Sequence, residues 1–211
     1  MKVVTVNGSS RKNGNTALAL DVVSETLNRN GISTERIEIG AAALHGCLGC
    51  GSCRQNPNRR CIQNDDPLNG WLETMFSADG LVLGSPVYYA GVNGSLKAFL
   101  DRAFFVASAN GGLFRHKVGA GIVAVRRAGA ATALDQLNKF FGISEMFIPG
   151  SNYWSMVYGM APGEVAGDCE GMQCLRVLAA NLAWLLKIID NCRNTLPPPE
   201  FQKKVMTNFI R

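Results

Sequence analysis

Four cysteines, Cys47, Cys50, Cys53 and Cys61, follow one another in the pattern C-x2-C-x2-C-x7-C. Cysteines at every third residue, in a loop that also carries Gly46, Gly49 and Gly51, can turn their sulfurs toward one centre. The first two spacings, over three cysteines, are those of ferredoxin-type iron–sulfur sites. Tetrahedral zinc usually draws on two separated C-x2-C pairs. The pattern favours a 4Fe-4S cluster, with zinc, a redox disulfide and free thiols as the alternatives.

A second stretch, Gly8-Ser9-Ser10-Arg11-Lys12-Asn13-Gly14-Asn15-Thr16, is rich in hydroxyls and amides and carries a guanidinium. It lies between an apolar β-branched run at residues 3–6 and a segment of helical spacing. Backbone N–H groups at a helix N-terminus face an anion, and Ser, Thr and Arg add donors, so the loop suits a phosphate. Five residues separate Gly8 from Gly14 and Asn15 stands where a P-loop has its lysine, which argues against a nucleoside-triphosphatase. Ser10 and Asn13 occupy the second and third glycine positions of the dinucleotide fingerprint. A loop for a single monophosphate remains, against the plainer alternative of an ordinary capped βα turn.

The elements that must position these residues follow from the apolar pattern. Strands are expected at 3–6, 34–39, 80–84, 118–125 and 146–148, and helices at 16–30, 67–78, 96–107, 128–141 and 169–190. The alternation of strands and helices implies an α/β fold, a doubly wound parallel sheet. With five strands the flavodoxin-like order 2-1-3-4-5 is expected, residues 1–190 forming one domain with the cysteine loop 45–66 inserted and 191–211 a tail. Ligands of such sheets sit beyond the carboxyl ends of the strands at the switch point. Three unusual loops leave those ends: 7–16, 85–95 and 125–130. The second carries Pro86, Val87, Tyr88 and Tyr89, able to lie against a flat ring, and the third Arg126, Arg127, Ala128 and Gly129. Ordinary packing of the tyrosines and a solvated arginine pair are the plainer readings of each alone. Together the three loops describe a site for a mononucleotide with a large planar ring.

Composition limits the rest. In 211 residues, 47% are hydrophobic and 18% charged, enough to build a sizeable core. The net charge of +5 is spread without a basic run, so nucleic acid is not an expected partner. No apolar stretch is expected to span a bilayer, and a strand starting by residue 3 leaves no room for a leader, so a cytoplasmic protein is expected. There, seven cysteines point to metal ligands or thiols rather than to a disulfide framework. Cys169, Cys174 and Cys192 are expected to be bystanders.

The Gly8–Thr16 stretch resembles the NADPH-dependent FMN reductase family of flavodoxin-like proteins when taken with Gly84-Ser85-Pro86-Val87-Tyr88-Tyr89 and Leu96-Lys97-Ala98-Phe99-Leu100-Asp101-Arg102. The cysteine spacing, with Asp65 and Asp66 beyond it, resembles the iron–sulfur flavoprotein branch. The resemblance implies FMN, its phosphate held by the loop of Ser9, Ser10, Arg11, Asn15 and Thr16. It places Pro86 to Tyr89 along the isoalloxazine and the Arg126–Gly129 turn toward its pyrimidine end. It also implies NAD(P)H as transient donor, a quinone, flavin or other small acceptor, and a homodimer or homotetramer. The flavin carries the chemistry, so no side chain is required as acid or base. An electron carrier serving ferredoxin-like proteins and a zinc-stapled binding domain are the two rival functions.

Overall fold

The computed structural model describes residues 1–40, 42–202, 204–207 and 209; residues 203, 208, 210 and 211 of the expected tail lie outside them. Five parallel strands, β1 (Lys2–Asn7), β2 (Ser33–Glu38), β3 (Gly80–Tyr88), β5 (Val118–Val125) and β6 (Met156–Tyr158), stand in the order β2-β1-β3-β5-β6. A two-residue strand, β4 (Gly91–Val92), pairs antiparallel with the end of β3. With β4 set aside, this is the expected 2-1-3-4-5 order.

The central strands are largely apolar because helices cover both faces. Every residue of β5 is buried, and Val3, Val4, Thr5 and Val6 of β1 are fully so. Val4, Val6, Leu81, Leu83, Val123 and Val125 point into one core with α3 (Leu68–Ser77), α4 (Gly94–Ala109) and α5 (Ala130–Ile143). Their neighbours Val3, Val82, Ala120, Ile122 and Ala124 point into the other, with α1 (Asn15–Arg29) and α6 (Cys169–Cys192). β2 is an outer strand whose exposed and covered residues alternate, in keeping with its charged sequence.

Three expectations need correction. Residues 146–148 do not form the fifth strand; Phe147 makes only an isolated parallel bridge to Val118. Pro149 follows, lacks an N–H and cannot extend the ladder. The chain leaves the edge and returns ten residues later as β6, where Val123 donates to Ser155 O at 3.1 Å and Ser155 Oγ donates to Gly121 O at 2.6 Å. Residues 85–95 are not a plain loop, because β3 runs on to Tyr88 and turns back as β4, and α4 begins at Gly94, capped by Asn93. Finally, α6 is long and apolar enough to cross a membrane by length and composition, with a mean hydropathy of 1.4. It is instead a core helix: Met172, Leu175, Leu178, Leu182 and Leu186 are buried against the sheet and α1.

Candidate functional site

The sheet brings loop 8–14 to the switch point between β1 and β3 and stitches it there. Gly8 N donates to Gly84 O at 2.8 Å. A Cβ on Gly8 would stand 2.6 Å from Leu96 Cδ2, so only glycine allows this approach. Inside the loop, side chains replace secondary structure. Ser9 N donates to Asn7 Oδ1 at 3.1 Å, Arg11 N to Ser9 Oγ at 3.1 Å and Gly14 N to Arg11 O at 3.1 Å. Asn7 is itself anchored through Nδ2 to Glu38 Oε2 at 2.8 Å.

The chain then enters α1 with its N-terminal donors uncovered. Gly14 is the N-cap in extended geometry (φ −88°, ψ −175°), offers no side-chain acceptor, and no acidic residue occupies the first turn. Most helices satisfy these N–H groups with an N-cap oxygen. Here they and the helix dipole are left for an anion. Ser9 and Thr16 line the base of the loop as buried side chains, while Ser10 and Arg11 are exposed above it.

The second loop is a tight hairpin. Val87 pairs with Val92 and Tyr88 with Gly91, so Tyr89 and Ala90 make the turn, at φ +45° and +68°. Two successive positive φ values define a type I′ turn, where Asn-Gly is the usual choice. Holding an aromatic residue and an alanine there costs about 1–2 kcal/mol each. The strain sets Tyr89 at the tip with its ring wholly in solvent. The neighbouring loops hold the hairpin in place. Tyr88 Oη and Ser10 Oγ are hydrogen-bonded at 3.1 Å, joining it to the phosphate loop. Val92 N donates to Gln136 Oε1 at 3.0 Å, and Gly129, at φ +88°, packs so closely that an added Cβ would meet Ala90 Cα at 3.1 Å. Arg126, Arg127 and Ala128 stand exposed beside it. The structure thus brings all three loops together.

Asn15 also makes contacts that the sequence did not suggest. Its Nδ2 donates to Ala161 O at 2.9 Å and its Oδ1 accepts from Gly163 N at 2.8 Å, so its amide ties down loop 159–163, which the sequence did not connect with the site. Glu164 holds the same loop by accepting from Met160 N at 2.6 Å and Ala161 N at 2.9 Å. Those backbone N–H bonds, Ala161 first, hold the Glu164 carboxyl below its ordinary value of 4.5. A depressed carboxyl stabilises what it holds above its unfolded value and loses that effect as pH falls through the folded one. Amide exchange at Met160 and Ala161, corrected for intrinsic rates, is therefore expected to rise as pH drops below 4.5, and Glu164→Gln to flatten that rise.

The cysteine loop packs over α4. Gly49 and Gly51, at φ +64° and +73°, fold it into the short helix α2 (Ser52–Gln55). Cys47, Cys50, Cys53 and Cys61 then line one small cavity of about 20 Å³, closed below by Arg102, Phe105 and Val106. None of the four is paired in a disulfide; Cys47 and Cys50 are exposed and Cys53 and Cys61 half-buried. Burial pushes the Cys53 thiol up, and Cys61, Cys47 and Cys50 add to the shift. Hydrogen bonding to Ser52 lowers Cys50. Among the described residues no three His, Cys, Asp or Glu side chains converge tightly enough for a single metal ion. Two polar residues fix the last cysteine. Buried Asn69 accepts from Cys61 N at 2.8 Å and donates to Cys61 O at 3.0 Å, and Arg102 Nε donates to Cys61 Sγ at 3.4 Å. A separate cavity of about 570 Å³, beside Lys117, Phe147 and Leu196, lies at the opposite end of the sheet from these loops.

Comparison with known proteins assigns the architecture. A family model described as NADPH-dependent FMN reductase matches residues 1–161. The chain belongs to that family. This NADPH-dependent FMN reductase family member is thereby a flavoprotein with the flavodoxin-like fold, among the FMN-binding oxidoreductases and electron carriers. It is 36% identical over 197 residues to a protein named iron-sulfur flavoprotein from Methanocaldococcus jannaschii, covering 90% of this chain and 99% of the relative. It is 30% identical to an iron-sulfur flavoprotein of Archaeoglobus fulgidus over 98% of this chain and 90% of that one. Among solved structures it is similar to RosB with a bound 8-demethyl-8-formylriboflavin-5'-phosphate intermediate, with a TM-score of 0.70 over 100% of this chain and 94% of that one. At 17% identity that likeness speaks for the fold.

Proposed function

We propose that this family member is an FMN-dependent oxidoreductase that draws electrons from NAD(P)H and delivers them to a quinone, a flavin or another small acceptor, with a 4Fe-4S cluster in the cysteine loop relaying them. The observation that carries this reading is the uncapped N-terminus of α1 standing beside the Ser10–Tyr88 contact. One site then offers donors for a phosphate and an aromatic hairpin for a ring. In that reading the α1 donors, with Ser9, Ser10, Arg11 and Thr16, bind the FMN phosphate. Asn15 closes loop 159–163 against the site rather than reaching into it. Pro86, Val87, Tyr88 and Tyr89 orient the ring, and the Arg126–Gly129 turn faces its polar edge. Arg126 and Arg127 add positive charge that attracts a dinucleotide's phosphates. Bound FMN supplies hydride acceptance from NAD(P)H and electron donation in one- or two-electron steps.

The cysteine set suits a cluster. Four thiols line a shared cavity. Their spacing, with three cysteines at every third residue, suits a centre whose irons each take one cysteine better than the two separated pairs usual for tetrahedral zinc. The iron–sulfur flavoprotein names of the relatives support the same choice. A homodimer or homotetramer is part of the proposal, with Tyr153, Trp154 and Tyr158 exposed along the β6 edge as the apolar surface available to it. Steady-state NAD(P)H oxidation with quinone or free flavin tests the enzymatic reading. Turnover with either acceptor is the expected result. Its absence, together with fast reduction by ferredoxin, would establish instead a non-catalytic electron carrier, a second reading that the complete cysteine set favours.

A further inference from the structure

Arg102 is among the largest fully buried side chains of the chain, 1% exposed, although it sits on a helix among the charged neighbours Lys97 and Asp101. Each arm of its guanidinium ends on the cysteine loop. Nη1 donates to His45 O at 3.3 Å and to the Asp66 carboxylate, and Nη2 donates to Gln63 O at 3.0 Å. His45 precedes the first cysteine, and Gln63 and Asp66 follow the last, so one side chain closes both ends of the loop. Asp66 is buried with it, its side chain 1% exposed. The remaining donor, Nε, is aimed at Cys61 Sγ.

Fastening a loop does not by itself call for a buried ion pair, since apolar residues of equal volume often serve as well or better. Nor does it call for a donor on sulfur. Lysine could not reproduce the arrangement, because a point charge lacks the planar fork that reaches several acceptors at once. We propose that Arg102 is the positioning residue of the iron–sulfur centre, which fastens the cysteine loop and, through Nε–H on Cys61, raises the reduction potential of the cluster. This rests on the reading that the four cysteines hold a cluster, and deepens it by naming the residue that sets its electron affinity. A cation and a hydrogen bond at a ligating thiolate stabilise the more negative, reduced state, and burial preserves the effect from solvent screening. Asp66, paired to the guanidinium, keeps it oriented.

The test compares wild type with Arg102→Lys and with the double variant Arg102→Gln/Asp66→Asn, which leaves no buried charge unpaired. Iron and acid-labile sulfide per FMN are measured after anaerobic reconstitution. The cluster and flavin potentials are then read in one titration, the flavin serving as internal control for the fold. In both variants FMN binding and its potential should stay as in wild type. Cluster occupancy should fall, and the one-electron equilibrium of the remaining cluster should shift at least about tenfold toward the oxidised form, ~59 mV. Full occupancy with an unshifted potential in both variants would overturn the assignment of Arg102 alone. Wild-type protein that takes up no iron would overturn the cluster reading and this inference with it.

Discussion

Replacing Gly14 by aspartate is expected to remove most of the affinity for FMN while leaving the apoprotein as stable as before. The N-cap position already has the extended backbone that a capping residue adopts. A Cβ there would approach Arg11 Cβ at 3.1 Å and Arg11 O at 3.3 Å, contacts that an exposed loop residue can relax by a few tenths of an ångström. Asp in place of Gly at an N-cap changes stability by only about a few tenths of a kcal/mol. Its carboxylate would, however, occupy the place of the phosphate on the α1 donors. Two like charges about 4 Å apart at an effective dielectric near 20 repel by about 4 kcal/mol, and salt reduces this, so a loss of about 2–4 kcal/mol is expected, or ~30- to 1,000-fold in Kd. Gly14→Asn caps without charge and should lose much less. Equilibrium binding of FMN to the apoproteins, with urea unfolding alongside, distinguishes these outcomes. A Gly14→Asp protein that binds FMN as tightly as wild type would move the phosphate away from α1.

Cys47→Ser is expected to lower iron content by at least about tenfold, since loss even of a supporting contact at a metal site typically weakens binding ~10- to 100-fold. FMN content should not change, because Cys47 belongs to the loop over α4 and not to the three loops at the switch point. The side chain is exposed, so the substitution should leave the fold intact. Cys169→Ser, exposed at the start of α6 and distant in sequence from the loop, is the control and should leave iron unchanged. Iron and sulfide assays on anaerobically prepared proteins, with the flavin absorbance measured in the same samples, provide the comparison. Unchanged iron in Cys47→Ser, or unchanged colour and turnover in a protein without iron, would contradict a cluster held by this set.

The architecture was legible where burial is written as pattern. The central strands are continuous apolar runs, and α6 repeats its leucines every three or four residues, so both could be placed. The edge was not legible in the same way. Met146-Phe147-Ile148 looks as apolar as Met156-Val157-Tyr158, and what decides between them is Pro149 together with the pairing that β5 offers along its length. The hairpin after β3 was hidden because Tyr89 and Ala90 carry positive φ without the glycine or asparagine that usually marks such a turn. Tyr88 and Ser10 belong to loops 78 residues apart in sequence, and only the fold hypothesis put them together. The reach of Asn15 to Ala161 and Gly163 left no local trace, since side-chain hydrogen bonds across 146 and 148 residues have no period to read. The burial of Arg102 was not legible either. It stands on a helix with Lys97 and Asp101, yet it is buried because the inserted loop lies over it and supplies its acceptors.

The most direct measurement is an ultraviolet–visible spectrum of protein purified anaerobically, with FMN and iron quantified per chain. The expected result is the flavin bands with stoichiometric FMN, overlaid by the broad brown shoulder of an iron–sulfur centre and a 4Fe-4S complement of iron. A colourless protein that takes up no FMN would contradict the site built on α1 and the Tyr88–Tyr89 hairpin, and a yellow protein with zinc in place of iron would contradict the cluster.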